Sequence, residues 1–330
     1  TSSALTVSGA LTVNASGTTL TKASGSGAMT VSGGVTGTGN LVLKNDSAAV
    51  LTLSVNPVDH IGTLTNSGTG NGASTVSAVV GTNVTGVLQD SAFSGMNFTT
   101  VANTYTSGLT IKEGTVSGSV ANSFGANSSV ITIGDSSGSA NATLSGAGAV
   151  TFANPIAVAS GNTGFATITT SAASVFGGAV TLDNHDLVVS PVASAVTISG
   201  GVTGTGNVTL NATGVGVITF TVNPLNHSGT LTNSGAGSAT NIVSAVVGPN
   251  VTAVTQNSAT SALTLSGVNT YTGLTTVSAG TLALTGGNAI ADSAAVQLDA
   301  GNLTVSTAET IGSLSSAGGT VTLTAGLTLG

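Results

Sequence analysis

The sequence contains no cysteine, no tryptophan and no arginine, and only 4% of its residues are charged. Without cysteine the chain can form neither a disulfide nor a thiolate metal site. The three basic residues, Lys22, Lys44 and Lys112, are too few to neutralise a row of phosphates, and the net charge is −7. We therefore expect no nucleic-acid partner and no binding to an anionic membrane surface.

Long hydrophobic runs and helical patterns are also missing. Although 40% of the residues are hydrophobic, Ser, Thr, Asn and Gly interrupt every apolar stretch before the roughly 18 residues that a membrane helix needs. The nearest helical candidate, residues 289–296, would make at most one or two turns, and its equivalent, residues 122–130, has poor helix propensity. The sequence thus predicts turns there, no membrane span and no long helix.

A long internal repeat dominates what is present. Residues 34–68 return without a gap as residues 201–235, an offset of 167 (201 − 34). Other matching segments lie at slightly different offsets, which suits a solenoid because an insertion only lengthens a surface loop. We place the two units at residues 1–167 and 168–330 and expect them to form one continuous solenoid.

Within each unit the local signal is a short alternating segment introduced by glycine. Examples are Gly9–Val13 (GALTV), Gly148–Phe152 (GAVTF) and Gly280–Leu284 (GTLAL). Apolar and polar residues that alternate between Gly, Asn and Ser predict half-buried β-strands. Val, Leu, Ile and Ala would face inward and Thr and Ser outward. Asn and Thr at the corners are expected to stack into side-chain ladders.

Many short strands without helices leave a sandwich, a propeller or a β-helix. A sandwich of this length needs better hairpin signals, and a propeller would show a repeat of roughly 40–45 residues with aromatics. The sequence therefore predicts an all-β fold, a parallel β-helix. With rungs of roughly 20–24 residues, each unit would make roughly seven or eight turns.

Two segments carry a family resemblance. Residues 103–116 (NTYTSGLTIKEGTV) and 269–282 (NTYTGLTTVSAGTL) resemble the autotransporter-associated β-strand repeat, whose pattern is roughly N-T-Y-T-G-x-T-x-V/I-x-x-G-T-L. The first copy departs from it because Ser107 precedes Gly108. The resemblance implies a right-handed parallel β-helix, a passenger-type protein that is secreted or displayed on a bacterial surface, and no catalytic residues.

The densest polar cluster is Asp183-Asn184-His185-Asp186, which has no counterpart at residues 14–17 of the first copy. Asp183 and Asp186 are candidate ligands for Ca²⁺. That ion takes six to eight oxygen ligands, more than this cluster offers. We therefore favour a solvated turn and expect no other cofactor.

Two histidines and two tyrosines recur at equivalent positions. His60 and His227 follow matching Asn-Pro-x-x patterns and could serve a metal or a proton. No further ligand repeats nearby, so we expect corner residues that hydrogen-bond a turn. Tyr105 and Tyr271 could stack on sugars, but we expect them to lie half-buried at the edge of a rung.

An enzyme is not expected. Carbohydrate cleavage on a β-helix needs clustered carboxylates, often with Lys or Arg, whereas the ten acidic residues are scattered. The glycines at 34, 37 and 39 precede neither a helix nor a P-loop lysine and indicate turns.

Two functions remain. A uniform, charge-poor solenoid without evident capping repeats exposes strand edges that favour pairing. We therefore expect a non-enzymatic extracellular structural protein that self-associates end to end into a fibre or array. The alternative is a passenger-type adhesin that binds host cells or glycans through the polar loops at residues 66–72 and 233–238.

Overall fold

The computed structural model describes residues 3–330, and all of its regular structure is β-strand. The chain winds as a parallel β-solenoid of about 15 turns. This confirms the predicted fold class. Residues 122–130 and 289–294 form turns and bends, as predicted, and residues 295–296 already belong to a strand. The contacts between residues divide the chain into two units, an N-terminal unit that ends at Thr167 and a C-terminal unit from Ile168 to Gly330. Their continuity as one solenoid stays a prediction.

The strands up to the boundary are short and follow one another in chain order. They are β1 (Leu5–Val7), β2 (Leu11–Val13), β3 (Thr18–Lys22), β4 (Met29–Val31), β5 (Val35–Gly37), β6 (Leu41–Asn45), β7 (Leu51–Leu53), β8 (Gly62–Asn66), β9 (Ser74–Val76), β10 (Val84–Asp90), β11 (Met96–Phe98), β12 (Leu109–Gly118), β13 (Ile131–Ile133), β14 (Ala142–Gly146), β15 (Thr151–Phe152), β16 (Ile156–Val158) and β17 (Ala166–Thr170).

The strands of the C-terminal unit are equally short. They are β18 (Ser174–Phe176), β19 (Val180–Asp183), β20 (Leu187–Val189), β21 (Val196–Ile198), β22 (Val202–Thr205), β23 (Val208–Leu210), β24 (Ile218–Phe220), β25 (Gly229–Asn233), β26 (Asn241–Val243), β27 (Val251–Asn257), β28 (Leu263–Leu265), β29 (Leu274–Ala279), β30 (Thr281–Leu284), β31 (Ala295–Leu298), β32 (Asn302–Val305), β33 (Glu309–Ile311), β34 (Ser313–Ser316), β35 (Thr320–Leu323) and β36 (Leu327–Leu329).

Each turn of the N-terminal unit contributes to three faces. On one face β7 pairs with β4 and β9, and on another β8 pairs with β6 and β10, always in parallel. On the third, Val58 bridges Val35 and Val80. Leu64 opposes Val87 on the next turn, 23 residues later (87 − 64). This spacing lies within the predicted rung length.

The C-terminal unit repeats this arrangement at equivalent positions. There β24 pairs with β21 and β26, β25 pairs with β23 and β27, and Leu225 bridges Val202 and Val247. The internal sequence repeat is therefore also a structural repeat, turn for turn.

Strict alternation of inward and outward residues builds the core. In β7 and β24 the first and last residues of the strand are buried, whereas the central residues, Thr52 and Thr219, are half-exposed. Besides several Ala and a number of buried polar residues, the inward set consists mainly of Val, Leu, Ile and Phe. Each such side chain contributes roughly 1.5–3 kcal/mol through burial. One turn is longer, since Val116 opposes Leu144, 28 residues later (144 − 116). It contains Phe124, whose ring centroid lies 4.8 Å from that of Phe152.

Two equivalent corners contain a strained turn. Val55 and Val222 have φ values of 65° and 66°. The amide of Asn56 donates to the carbonyl of Ser54 at 2.9 Å across Val55, and Asn223 repeats this contact across Val222. This is a γ-turn with positive φ, a rare and strained conformation. A β-branched residue is the least suited to it.

Replacing Val222 with Asn is therefore expected to raise the free energy of unfolding by roughly 1 kcal/mol, because Asn tolerates the left-handed region. Urea denaturation of the full chain measures the change. Val215→Asn is the control, since Val215 is also exposed (67%) but does not have a positive φ. An equal response of the two variants would show that the turn stores no strain.

Candidate functional site

The N-terminal unit encloses a polar cluster between two faces. Asn66, Ser74, Gln89 and Ser94 are all fully buried. The Asn66 amide donates to Gln89 Oε1 (2.9 Å) and the Ser74 hydroxyl donates to Asn66 Oδ1 (2.8 Å). Gln89 Nε2 in turn donates to the Ser94 carbonyl (2.8 Å). The side chains therefore form hydrogen bonds with one another and with the backbone of the corner, as buried polar groups must.

The C-terminal unit repeats the cluster with one exchange. Asn233 Nδ2 donates to Gln256 Oε1 (2.7 Å), and Gln256 Nε2 donates to the Ser261 carbonyl (2.9 Å). Asn241 replaces the serine at the equivalent of Ser74 and donates to Asn233 Oδ1 (2.9 Å). These contacts are ladders of Asn between successive turns, as predicted, but the partner side chain is Gln and not the expected Thr. They contain only amides and hydroxyls, so the clusters support the turns and supply no acid or base.

The asparagine of the repeated N-T-Y-T pattern bridges three turns. Asn103 Oδ1 accepts from the amide of Val80 (2.8 Å), and its Nδ2 donates to the Ser123 carbonyl (2.6 Å). Asn269 does the same between Val247 and Ala289, at 2.7 Å each. The side chain thus adds to the backbone bonds that the amides of Asn103 and Thr104 donate to the neighbouring turns. This explains why the pattern begins with Asn.

The tyrosines of the same pattern are fully buried, so their predicted half-buried position was wrong. The Tyr271 hydroxyl lies 2.8 Å from Thr275 Oγ1. The Tyr105 hydroxyl has no partner, because Leu109 occupies the position equivalent to Thr275. Burial raises the pKa of both phenols, so neither is available to bind sugars or to ionise.

These tyrosines form a matched pair for mutation. Tyr271→Phe is expected to lower the free energy of unfolding by about 1 kcal/mol, because it leaves the buried Thr275 hydroxyl unpaired. Tyr105→Phe should leave stability unchanged or raise it, since it removes an unsatisfied hydroxyl. Thermal unfolding of both variants measures the difference, and a larger loss at Tyr105 would contradict this assignment.

The two repeated histidines are also buried. His60 Nε2 lies 3.1 Å from the Thr63 carbonyl and His227 Nε2 lies 3.2 Å from that of Thr230. Since a carbonyl only accepts, Nε2 carries the proton, and Nδ1 has no partner in either ring. Burial is the main cause that lowers the pKa of both histidines. The contacts are those expected of corner residues.

Acid is therefore expected to destabilise the protein through these rings. As the pH falls through the ordinary histidine pKa of 6.5, the unfolded chain takes up protons that the folded chain does not, so stability is lost. Above that pH the folded and the unfolded chain bind equal numbers of protons at these rings. Urea midpoints between about pH 7.5 and pH 5.5 test this. The double variant His60→Gln/His227→Gln should show a smaller decline, and an identical decline would exclude the histidines as its cause.

The predicted calcium candidates lie at an exposed corner. Asp183 ends β19, and Asp186 Oδ1 accepts from the amide of Asn207 on the next turn (2.7 Å) and from its Nδ2 (3.1 Å). His185 Nδ1 lies 2.9 Å from the Asp186 carbonyl. Across residues 3–330, no three His, Asp or Glu side chains come close enough to hold a metal ion. The Ca²⁺ role of Asp183 and Asp186 stays a prediction.

The polar segments predicted as binding loops do not project. The amides of Ser67, Gly70 and Gly72 donate to carbonyls of the preceding turn at 2.9–3.0 Å. A Cβ on Gly68 would lie 2.1 Å from the Asn45 carbonyl oxygen. The equivalent Gly235 is packed in the same way against Ala212. Both segments are therefore turns packed against the preceding turn, with exposed residues at Thr69 and Asn71 in one and at Ser234, Ala236 and Ser238 in the other.

One buried carboxylate was missed by sequence reasoning. Glu309 accepts from the amides of Ala289 (3.1 Å) and Ile290 (2.8 Å). Burial is the main cause that raises its pKa. Glu309 therefore continues the bridging of turns that Asn269 begins. Its inward position follows from the alternation of β33, although a glutamate in that pattern gives no such signal by itself.

Comparison with known protein families, with curated proteins and with solved structures found no match to this chain. None of the described residues belongs to a helix long and apolar enough to cross a membrane.

Proposed function

We propose that this chain is a non-enzymatic structural protein of a bacterial cell surface that assembles end to end into an extracellular fibre or array. The observation that carries the proposal is that parallel ladders join successive turns up to the last described one, so that each turn presents the next with an edge of the same kind. Strands β34, β35 and β36 each pair with only one described strand. Leu323 and Leu329 on these strands are 52% and 55% exposed. Such edges favour pairing with a further strand.

The first described turn offers the complementary edge. There β1, β2 and β3 each pair only with the strand of the following turn among those described. Because the ladders at both of these turns are parallel, a turn of one copy can continue the ladders of another copy. Such a head-to-tail contact does not close on itself and generates a filament.

The chemistry of the titratable groups supports a structural role. His60 and His227 bond backbone carbonyls, and Glu309 bonds backbone amides. These side chains stabilise corners instead of gathering around a cleft. The extracellular assignment rests on the resemblance of residues 103–116 and 269–282 to the autotransporter-associated repeat. Adhesion through residues 66–72 and 233–238 has less support, since these segments are packed against the preceding turn.

Electron microscopy and sedimentation of the full chain test the proposal. Filaments are expected at high protein concentration. Leu323→Lys/Leu329→Lys should abolish them, because a charge on an edge strand blocks pairing. Val192→Lys, at an exposed corner away from the last turn, is the control and should assemble normally. Short monodisperse particles at every concentration of the unaltered chain would contradict end-to-end assembly.

A further inference from the structure

A continuous stretch of about two-thirds of the C-terminal unit carries no formal charge. Residues 187–291 contain no Asp, Glu, Lys or Arg, whereas the chain as a whole carries ten acidic and three basic side chains. Two copies with a net charge of −7 repel one another. The uncharged segment is therefore where the sides of two copies can approach at least electrostatic cost.

A groove of about 520 Å³ lies against this segment. Paired glycines leave its floor without side chains: a Cβ on Gly200 would lie 1.8 Å from the Gly178 carbonyl oxygen. None of the residues that line the groove is charged. They include Gly177, Ala179, Gly200, Gly201, Asn223 and Pro224.

Val222 stands directly beside the groove, since the next two residues line it. Its side chain is 80% exposed, and its γ-turn is strained. The turn is nonetheless held firmly, because Asn223 Nδ2 donates to the Ser199 carbonyl at 2.9 Å. A strained, exposed apolar residue is costly to an isolated molecule, and such strain is often kept where it serves a function.

We propose that this corner is a contact between two copies of the chain, in which Val222 of each copy enters the groove of the other. A projection and a recess side by side form a self-complementary patch, as a two-fold interface requires. The contact joins the sides of solenoids, so it is independent of the end-to-end assembly proposed above.

The N-terminal unit provides a matched control. Val55 has the same γ-turn and is 78% exposed. Asn226, which lines the groove, corresponds to Asp59 in that unit. Asp59 places a negative charge at the N-terminal corner that follows Val55 in sequence, and two such corners would repel. The uncharged corner at Val222 is therefore expected to associate, and the acidic corner at Val55 is not.

Sedimentation velocity over a concentration series tests the contact. The full chain carries Leu323→Lys/Leu329→Lys as a background so that only side contacts are measured. We expect a monomer–dimer equilibrium that Val222→Asn weakens at least about tenfold. Val55→Asn should leave it unchanged, although both substitutions relieve the same strain. Circular dichroism checks that each variant is folded.

Two further variants probe the recess from the other side. Ala179→Leu fills the groove from an exposed position, and Asn226→Asp gives this corner the charge of the N-terminal one. Each is expected to weaken the dimer. The effect of Asn226→Asp should be smaller at high salt, because salt screens the repulsion between the two new charges. The proposal is overturned if the background chain stays monomeric throughout, or if Val55→Asn and Val222→Asn weaken association equally. If filaments of the unaltered chain are absent but the dimer is present, the end-to-end assembly is contradicted and the side contact is supported.

Discussion

Backbone hydrogen bonding between successive turns is the constraint on which the rest of each unit depends. Each turn must lie parallel to the one before it, with equivalent residues opposite each other, as Leu41, Leu64 and Val87 do. Once that register is set, the alternation along each short strand sends one set of residues inward. A slip of one residue would expose the core and bury the threonines. The apolar interior therefore also fixes the register.

The corners are where this scheme is hardest to satisfy, because the chain turns away from its ladder. Glycines let turns touch, as at Gly68 and Gly235. Side-chain amides then complete the bonding that the backbone cannot: Asn66 with Gln89, and Asn103 across three turns. The polar interior is thus an extension of the backbone ladder, and it is repeated in both units because the same corners recur.

Much of this was predictable from sequence. The alternation in segments such as Gly9–Val13 and the long repeat suffice for strands, inward faces and parallel stacking. The full burial of Tyr105 and Tyr271 was not predictable. The repeated pattern gives the two tyrosines equivalent places, but it cannot show that only the Tyr271 hydroxyl meets a threonine. The γ-turn at Val222 and the burial of Glu309 were also missed, because valine disfavours positive φ and glutamate disfavours burial. Tertiary packing overrides both preferences.

Distances between spin labels on a single outward column test the parallel stacking most directly. The cysteine-free chain allows label pairs at Thr209 with Thr232, Thr255 or Thr276, which occupy the same column on four successive turns. The account predicts that the three separations increase in that order, by about 4.8 Å per turn. Separations that failed to increase in sequence order would contradict it.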